Sequence, residues 1–164
     1  MSLVLRNLQK AVPLNRARLR RDVETLRRIL GIQKFDLGLI CVDNQRIQRI
    51  NEIYRKNNMP TDVLSFPFYE HLEAGKLPDP LHRDEFNLGD IFLGVEYVMD
   101  ECQDSRDFHS TLAVVVAHGI CHLLGYTHET EEDWREMFRR ENDILSEFNR
   151  LTGSQLEPLT KRRL

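Results

Sequence analysis

The sequence predicts an α+β fold: a small mixed β-sheet of about four strands with about five helices, the central helix carrying a group of histidines. Three observations predict it. In the first third of the chain, short apolar runs alternate with amphipathic stretches of helix length. A Pro-bearing apolar run and a long irregular segment then precede one more strand. Beyond them lies an apolar stretch, Leu112 to Ala117, that continues through the histidines of HGICHLLGYTH.

Leu3 to Leu8 reads as the first strand. Asn15 caps a helix whose apolar positions, Leu19, Val23, Leu26 and Leu30, share one face, and Gly31 ends it. Leu37 to Val42 is a second strand, and Asp43 caps the helix after it, with Ile47, Ile50, Ile53 and Tyr54 as the predicted buried stripe. Pro60-Thr61-Asp62 turns the chain into a strand over Val63 to Phe68. Pro67 has no ladder donor, which puts that strand near a sheet edge or a strand end. Glu70 to Asn87 carries Pro, Gly and charge without periodicity and reads as a long surface loop. Such loops are uncommon in compact domains unless functional, so this one is expected to cover or border the site.

Leu88 to Val95 resumes as a strand, followed by a helix through Tyr97, Val98 and Glu101. The run Leu112 to Ala117 is rich in β-branched residues, yet spacing argues for a helix. In a strand His118 and His122 would stand about 13 Å apart, too far for one metal ion. The final helix starts at Thr130, with Glu131, Glu132 and Asp133 suited to its first turn and Trp134, Met137, Phe138, Leu145 and Phe148 as its buried face. Thr152-Gly153 ends it. Residues 1–153 read as one domain and residues 154–164 as a polar, flexible tail in which Lys161-Arg162-Arg163 fray.

Composition narrows the function classes. The 164 residues are 30% charged and 41% hydrophobic, as in soluble globular domains, and no apolar stretch is long enough to span a bilayer. Three cysteines without paired spacing, Cys41, Cys102 and Cys121, argue for a reducing compartment and for core packing rather than a disulfide scaffold. The net charge of −3 hides an asymmetry, since Arg6, Lys10, Arg16, Arg18, Arg20 and Arg21 all precede the first acidic residue, Asp22. Such a start looks like an organelle-targeting peptide or a phosphate-binding face, or else a solvated helix face with snorkelling arginines. The strand at Leu3 to Leu5 weighs against cleavage of a presequence. Without an apolar h-region, secretion is not expected.

His118, His122 and His128 carry the chemistry. The first two lie four residues apart and share one face of a helix, and Gly125 allows the chain to turn His128 back toward them. Three neutral imidazoles converging on one point form a metal site, and three ligands leave a fourth tetrahedral position for water. The spacing matches the metzincin zinc peptidases except at one residue: their glutamate base follows the first histidine, and here that residue is Gly119. Losing a general base removes roughly 10²- to 10⁴-fold in rate, so the ligand set persists while the peptidase reading weakens. Two competing readings stay open at this level. Cys121 as a fourth ligand would make the ion structural, and Arg55 would only balance the dipole at a helix C-terminus.

The histidine stretch resembles the H-G-x-x-H-L-x-G-Y-D-H signature of the YbeY family, metal-dependent endoribonucleases specific for single strands that mature ribosomal RNA. Tyr54-Arg55-Lys56-Asn57-Asn58-Met59-Pro60-Thr61-Asp62-Val63-Leu64-Ser65-Phe66-Pro67 is similar to a second block of that family, and Leu88-Gly89-Asp90-Ile91 to a third. The resemblance covers about Leu3 to Phe148. It implies one Zn²⁺ on His118, His122 and His128, with Arg55 and His118 in the catalytic centre. A divalent metal and an arginine fork together neutralise charge on a phosphodiester. Thr127 departs from the pattern, standing where many members have aspartate, which bears on how firmly the ion is held. Asp62, Ser65 and Asp90 are candidates for substrate contact that turn capping explains equally well. The implied partners are single-stranded ribosomal RNA and proteins of the small ribosomal subunit, with neither DNA nor membrane. The implied location is mitochondrial, with cytoplasm or nucleus as alternatives. A ribosome-assembly factor with a structural ion and little catalysis, and a metzincin-like peptidase, are the alternative functions.

Overall fold

The structure, a computed structural model, describes residues 2–162. Four strands, β1 (Leu3–Asn7), β2 (Asp36–Val42), β3 (Val63–Pro67) and β4 (Asn87–Gly94), form one sheet in the order β1-β2-β4-β3. β1, β2 and β4 are parallel, and β3 runs antiparallel to β4 at the edge, so the sheet is mixed. Among the described residues five α-helices accompany it: α1 (Arg16–Leu30), α2 (Asn44–Arg55), α3 (Val95–Glu101), α4 (Phe108–Leu123) and α5 (Glu131–Thr152). The α+β architecture is the one the sequence predicts, with two of the three histidines, His118 and His122, on a central helix and His128 in the turn that follows it.

Local chemistry starts and stops these elements. Asn15, Asp43 and Thr130 each accept a hydrogen bond from a backbone N–H in the first turn of α1, α2 and α5. α1 ends at Gly31 in the left-handed conformation, with φ of 67°. α4 lacks a polar face: from Leu112 to Cys121 every residue is buried, as expected of a helix enclosed on all sides. It lies between the sheet, α1 and α5.

The main core fills the face of the sheet that meets α1, α4 and α5, with Leu5, Leu37, Leu39, Ile91 and Leu93 from the strands. A smaller cluster of Val42, Ile47 and Leu64 joins α2 to the opposite face. Here the predicted stripe is too wide. Ile47 is buried and Ile50 is packed, but Ile53 and Tyr54 are 58% and 63% exposed, because α2 meets the sheet along one line and turns both outward. Trp134 and Phe138 of α5 are half-buried rather than buried.

The Arg-rich start belongs to the fold. Arg16 and Arg20 donate to the carbonyls of Leu5 and Leu3 at 3.1 and 3.2 Å, and Arg18 donates to Ser110. Arg27 is almost fully buried and donates to the carbonyls of Gln33 and Phe35, fixing the turn into β2. The stretch after Gly153 corrects the flexible-tail expectation. Asn149 exchanges two hydrogen bonds with Leu156, Trp134 donates to the Thr160 carbonyl, and Leu159 and Thr160 are buried in a 3₁₀ turn over Leu159–Arg162. Side-chain packing against α5 outweighs the low hydrophobicity of this segment. Of the run Lys161-Arg162-Arg163 expected to fray, Arg163 lies outside the described residues. Among the described residues no helix is long and apolar enough to cross a membrane.

Candidate metal centre

α4 supplies His118 and His122 one turn apart, and the chain then reverses at Gly125 to bring back His128. Gly125 has φ of +94°, and a Cβ there would stand 2.5 Å from the Leu72 carbonyl oxygen. The reversal therefore needs glycine twice over, for its backbone angle and for the close approach of the loop after β3. One ligand atom from each of the three histidines lies within 4.8 Å of the other two. His118 is fully buried, while His122 and His128 are half-buried and open to a cleft.

The hydrogen bonds set which ring nitrogens face one another. His122 Nδ1 lies 3.0 Å from the Tyr126 carbonyl oxygen, and His118 Nδ1 lies 3.2 Å from Glu141 Oε2. Both partners are acceptors, so in the neutral rings each Nδ1 holds the proton and each Nε2 is left with its lone pair. Those two Nε2 atoms stand 3.0 Å apart. Two lone pairs at that distance repel unless a cation lies between them. Tetrahedral zinc with bonds of about 2.0–2.1 Å would set its nitrogens about 3.3 Å apart, so the histidines fit a first-row divalent ion.

Cys121 does not join them. It is fully buried, and desolvation together with the nearby Glu141 charge pushes its thiol well above the ordinary range, which leaves it a packing residue. Gly119 also finds a structural reason. A Cβ there would come within 3.2 Å of Ile91 Cδ1 and Ser65 Oγ and 3.3 Å of Val63 Cγ2, and Ser65 Oγ donates to the Gly119 carbonyl at 3.1 Å. α4 is pressed onto β3 at this point, so even the first carbon of a glutamate side chain would crowd Ile91, Ser65 and Val63 at the position where a metzincin carries its base.

The cleft above the histidines has a volume of about 780 Å³ and is walled by β3, the loop after it and the turn from Gly125 to Glu129. Tyr69, Glu70, His71 and Leu72 form its loop wall, so the long irregular segment does border the site. Arg55 lines the same cleft from the last position of α2. Its Nη2 donates to the Ser65 carbonyl at 2.9 Å, and its guanidinium sits 5.1 Å from the centre of the Phe66 ring. Dipole compensation alone would not aim it there. Thr127 Oγ1 donates to Asp133 Oδ2 at 3.1 Å, which brings a carboxylate from α5 beside the position where the family pattern has aspartate.

Of the remaining candidates, Ser65 lines the cleft, Asp62 is buried just before β3 and Asp90 is exposed. His82 and His109 stand elsewhere; His109 Nε2 accepts the Asn15 N–H at 3.0 Å. Sequence reasoning missed Glu141, whose position on a helix rich in Glu and Arg marks it as surface. It also missed the loop residues from Tyr69 to Leu72 individually, since nothing in their spacing singles them out.

The family model described as Endoribonuclease YbeY matches residues 5–149. The chain belongs to the endoribonuclease YbeY family. A human protein named Endoribonuclease YbeY is 58% identical over 161 residues, covering 98% of this chain and 96% of that protein. The Endoribonuclease YbeY of Bartonella bacilliformis is 40% identical over 114 residues, 69% of this chain and 68% of its own length. That of Bacillus cereus is 36% identical over 135 residues, 77% and 86% respectively. The solution structure of TM1509 from Thermotoga maritima covers 96% of this chain and 99% of its own, with a TM-score of 0.53 and 23% identity, and shows the fold alone. For this member of the YbeY family, all three histidines and Arg55 lie inside the matched span, whereas the docked segment around Thr160 lies beyond it.

Proposed function

We propose that the chain is a zinc-dependent endoribonuclease that cuts single-stranded RNA, acting on ribosomal RNA in maturation of the small ribosomal subunit. The observation that carries this reading is the sharing of one cleft by three metal-competent imidazoles and a guanidinium. A divalent ion held by His118, His122 and His128 supplies Lewis acidity toward a phosphoryl oxygen and activation of water. Arg55 supplies the second positive charge. Its fork is anchored on one side by the Ser65 carbonyl and the Phe66 ring, leaving its remaining N–H donors to bind phosphate oxygens and orient the backbone. The cleft is open, which suits an extended single strand.

The test is cleavage of single-stranded and duplex RNA with and without a chelator, comparing the intact protein with His118→Ala and Arg55→Ala. We expect metal-dependent cutting of the single strand, abolished by His118→Ala and lowered about 10²-fold or more by Arg55→Ala, the scale for removing an electrostatic stabiliser. Cleavage that survives both substitutions and the chelator would refute the reading.

The alternative is an assembly factor with a structural ion and little catalysis. It draws on the net charge of −3 and on the arginines Arg16, Arg18 and Arg20, which are engaged within the fold, so that RNA would be reached through a small-subunit protein. Rescue of a ribosome-maturation defect by folded His118→Ala would favour it. The peptidase reading loses support at Gly119. We propose a mitochondrial location, which fractionation of cells carrying the tagged full chain would test; accumulation in the cytosol or nucleus would exclude it.

A further inference from the structure

His118 is the only fully buried member of the histidine group, and what lies behind it comes from two distant parts of the chain. Glu141, on α5, is fully buried and points its carboxylate at the ring. Its Oε2 lies 3.2 Å from His118 Nδ1 and accepts the Thr160 hydroxyl proton. Its Oε1 accepts the backbone N–H groups of Leu159 and Thr160 at 3.1 and 3.4 Å. The Thr160 oxygen is itself 3.3 Å from His118 Nδ1. Both carboxylate oxygens are thus engaged, and three of the four donors belong to the docked C-terminal segment or its side chain.

A buried carboxylate is costly unless every lone-pair direction finds a donor. The α5 face that holds the segment is built for this purpose: Trp134, Glu141 and Asn149 all bond to it, two of them through its backbone carbonyls. If the segment served only to cover α5, Leu159 would suffice. A buried threonine hydroxyl and two aligned N–H groups on one glutamate point to the ring behind it.

We propose that Glu141 and Thr160 are positioning residues of the metal centre: together they hold His118 with its proton on Nδ1 and its Nε2 lone pair turned toward the ion. This inference rests on the reading of the three histidines as metal ligands. It makes the segment after residue 153, which lies beyond the span matched by the family model, a working part of the site. Partners of this type change metal affinity about 10- to 100-fold when removed.

Glu141→Gln is the decisive substitution. The amide oxygen can still accept from Leu159 and Thr160, but the NH₂ then faces His118 Nδ1 and drives the ring proton to Nε2, where it blocks the ligand position. Thr160→Val removes the hydroxyl at nearly constant volume, and Thr160→Ser restores it. In the full-length, metal-free protein, imidazole nitrogen chemical shifts report the tautomer of His118; zinc and manganese titrations report affinity. We expect the Nδ1–H tautomer in the wild type and the Nε2–H tautomer in E141Q, with affinity about 10- to 100-fold weaker, a smaller loss in T160V and recovery in T160S. Wild-type tautomer and affinity in E141Q would overturn the proposal. Should E141Q fail to fold, T160V binding as tightly as T160S would overturn it. A wild type that takes up neither ion would overturn the metal reading itself, whereas normal uptake by wild type and E141Q alike would overturn this proposal alone.

Discussion

Replacing Gly125 with alanine should damage the metal site through the backbone rather than through any ligand. At φ of +94° an alanine is strained, and its Cβ would sit 2.5 Å from the Leu72 carbonyl oxygen, a backbone atom that moves only if the loop moves. Left-handed strain is about 1–2 kcal/mol and overpacking about 1–3 kcal/mol, so a total near 2–5 kcal/mol is expected. For a chain of this length that is a fall in melting temperature of roughly 5–15 °C. Gly31→Ala is the matched control, because Gly31 has φ of +67° with nothing within 4 Å of an added methyl, and so carries the strain alone. The assay is thermal denaturation of both variants, metal-free and with zinc, alongside metal titration. Gly125→Ala should lose more than Gly31→Ala and also bind metal more weakly, since His128 follows the reversal. Equal melting temperatures for the two variants, with metal affinity retained, would refute the account of the loop and the turn as mutually fitted.

Three other outcomes follow from contacts at Gly119 and His109. Gly119→Ala places a methyl 3.2 Å from Ile91 Cδ1 and Ser65 Oγ; overpacking of about 1–3 kcal/mol against a helix-propensity gain of about 1 kcal/mol predicts a net loss of up to about 2 kcal/mol by urea denaturation. Gly119→Glu should be worse and should not create peptidase activity; a glutamate variant as stable as the wild type contradicts the tight seat of α4 on β3. Burial, with Arg18 adding to it, holds His109 below its ordinary value, and its neutral ring accepts the Asn15 N–H. On acidification the unfolded chain takes up this proton first, so the contribution is complete above pH about 6.5 and is lost as pH falls through the lower folded value. Between about pH 7.5 and 5 the wild type should therefore lose stability relative to His109→Gln, whereas a constant difference would refute the assignment.

The features legible in the sequence are those decided within a few residues. Asn15, Asp43 and Thr130 cap their helices with their own side chains, and Pro67 marks an edge strand because it cannot donate. The histidine spacing is readable for the same reason, since a helix brings positions four apart to one face. What escapes is decided by distant partners. Glu141 sits among charged neighbours on α5 and differs from them only because the chain returns after residue 153 to meet it. Arg27 is likewise one arginine among many, buried because the turn into β2 closes over it. Ile53 and Tyr54 are the converse case: periodicity places them beside Ile50, but whether a helix face is covered depends on how far the sheet extends beneath it.

The arginines that bond to strand carbonyls have a consequence for self-association. β1 and β3 are the two outer strands, and an outer strand offers unpaired carbonyls to any extended chain that approaches. On β1 the carbonyls of Leu3 and Leu5 are taken by Arg20 and Arg16, and on β3 that of Ser65 is taken by Arg55. A second copy docking edge to edge would have to displace a guanidinium at either border and meet positive charge in doing so. The same residue that faces the cleft thus also guards the sheet against templated growth, and its loss would expose a sticky edge as well as an incomplete site.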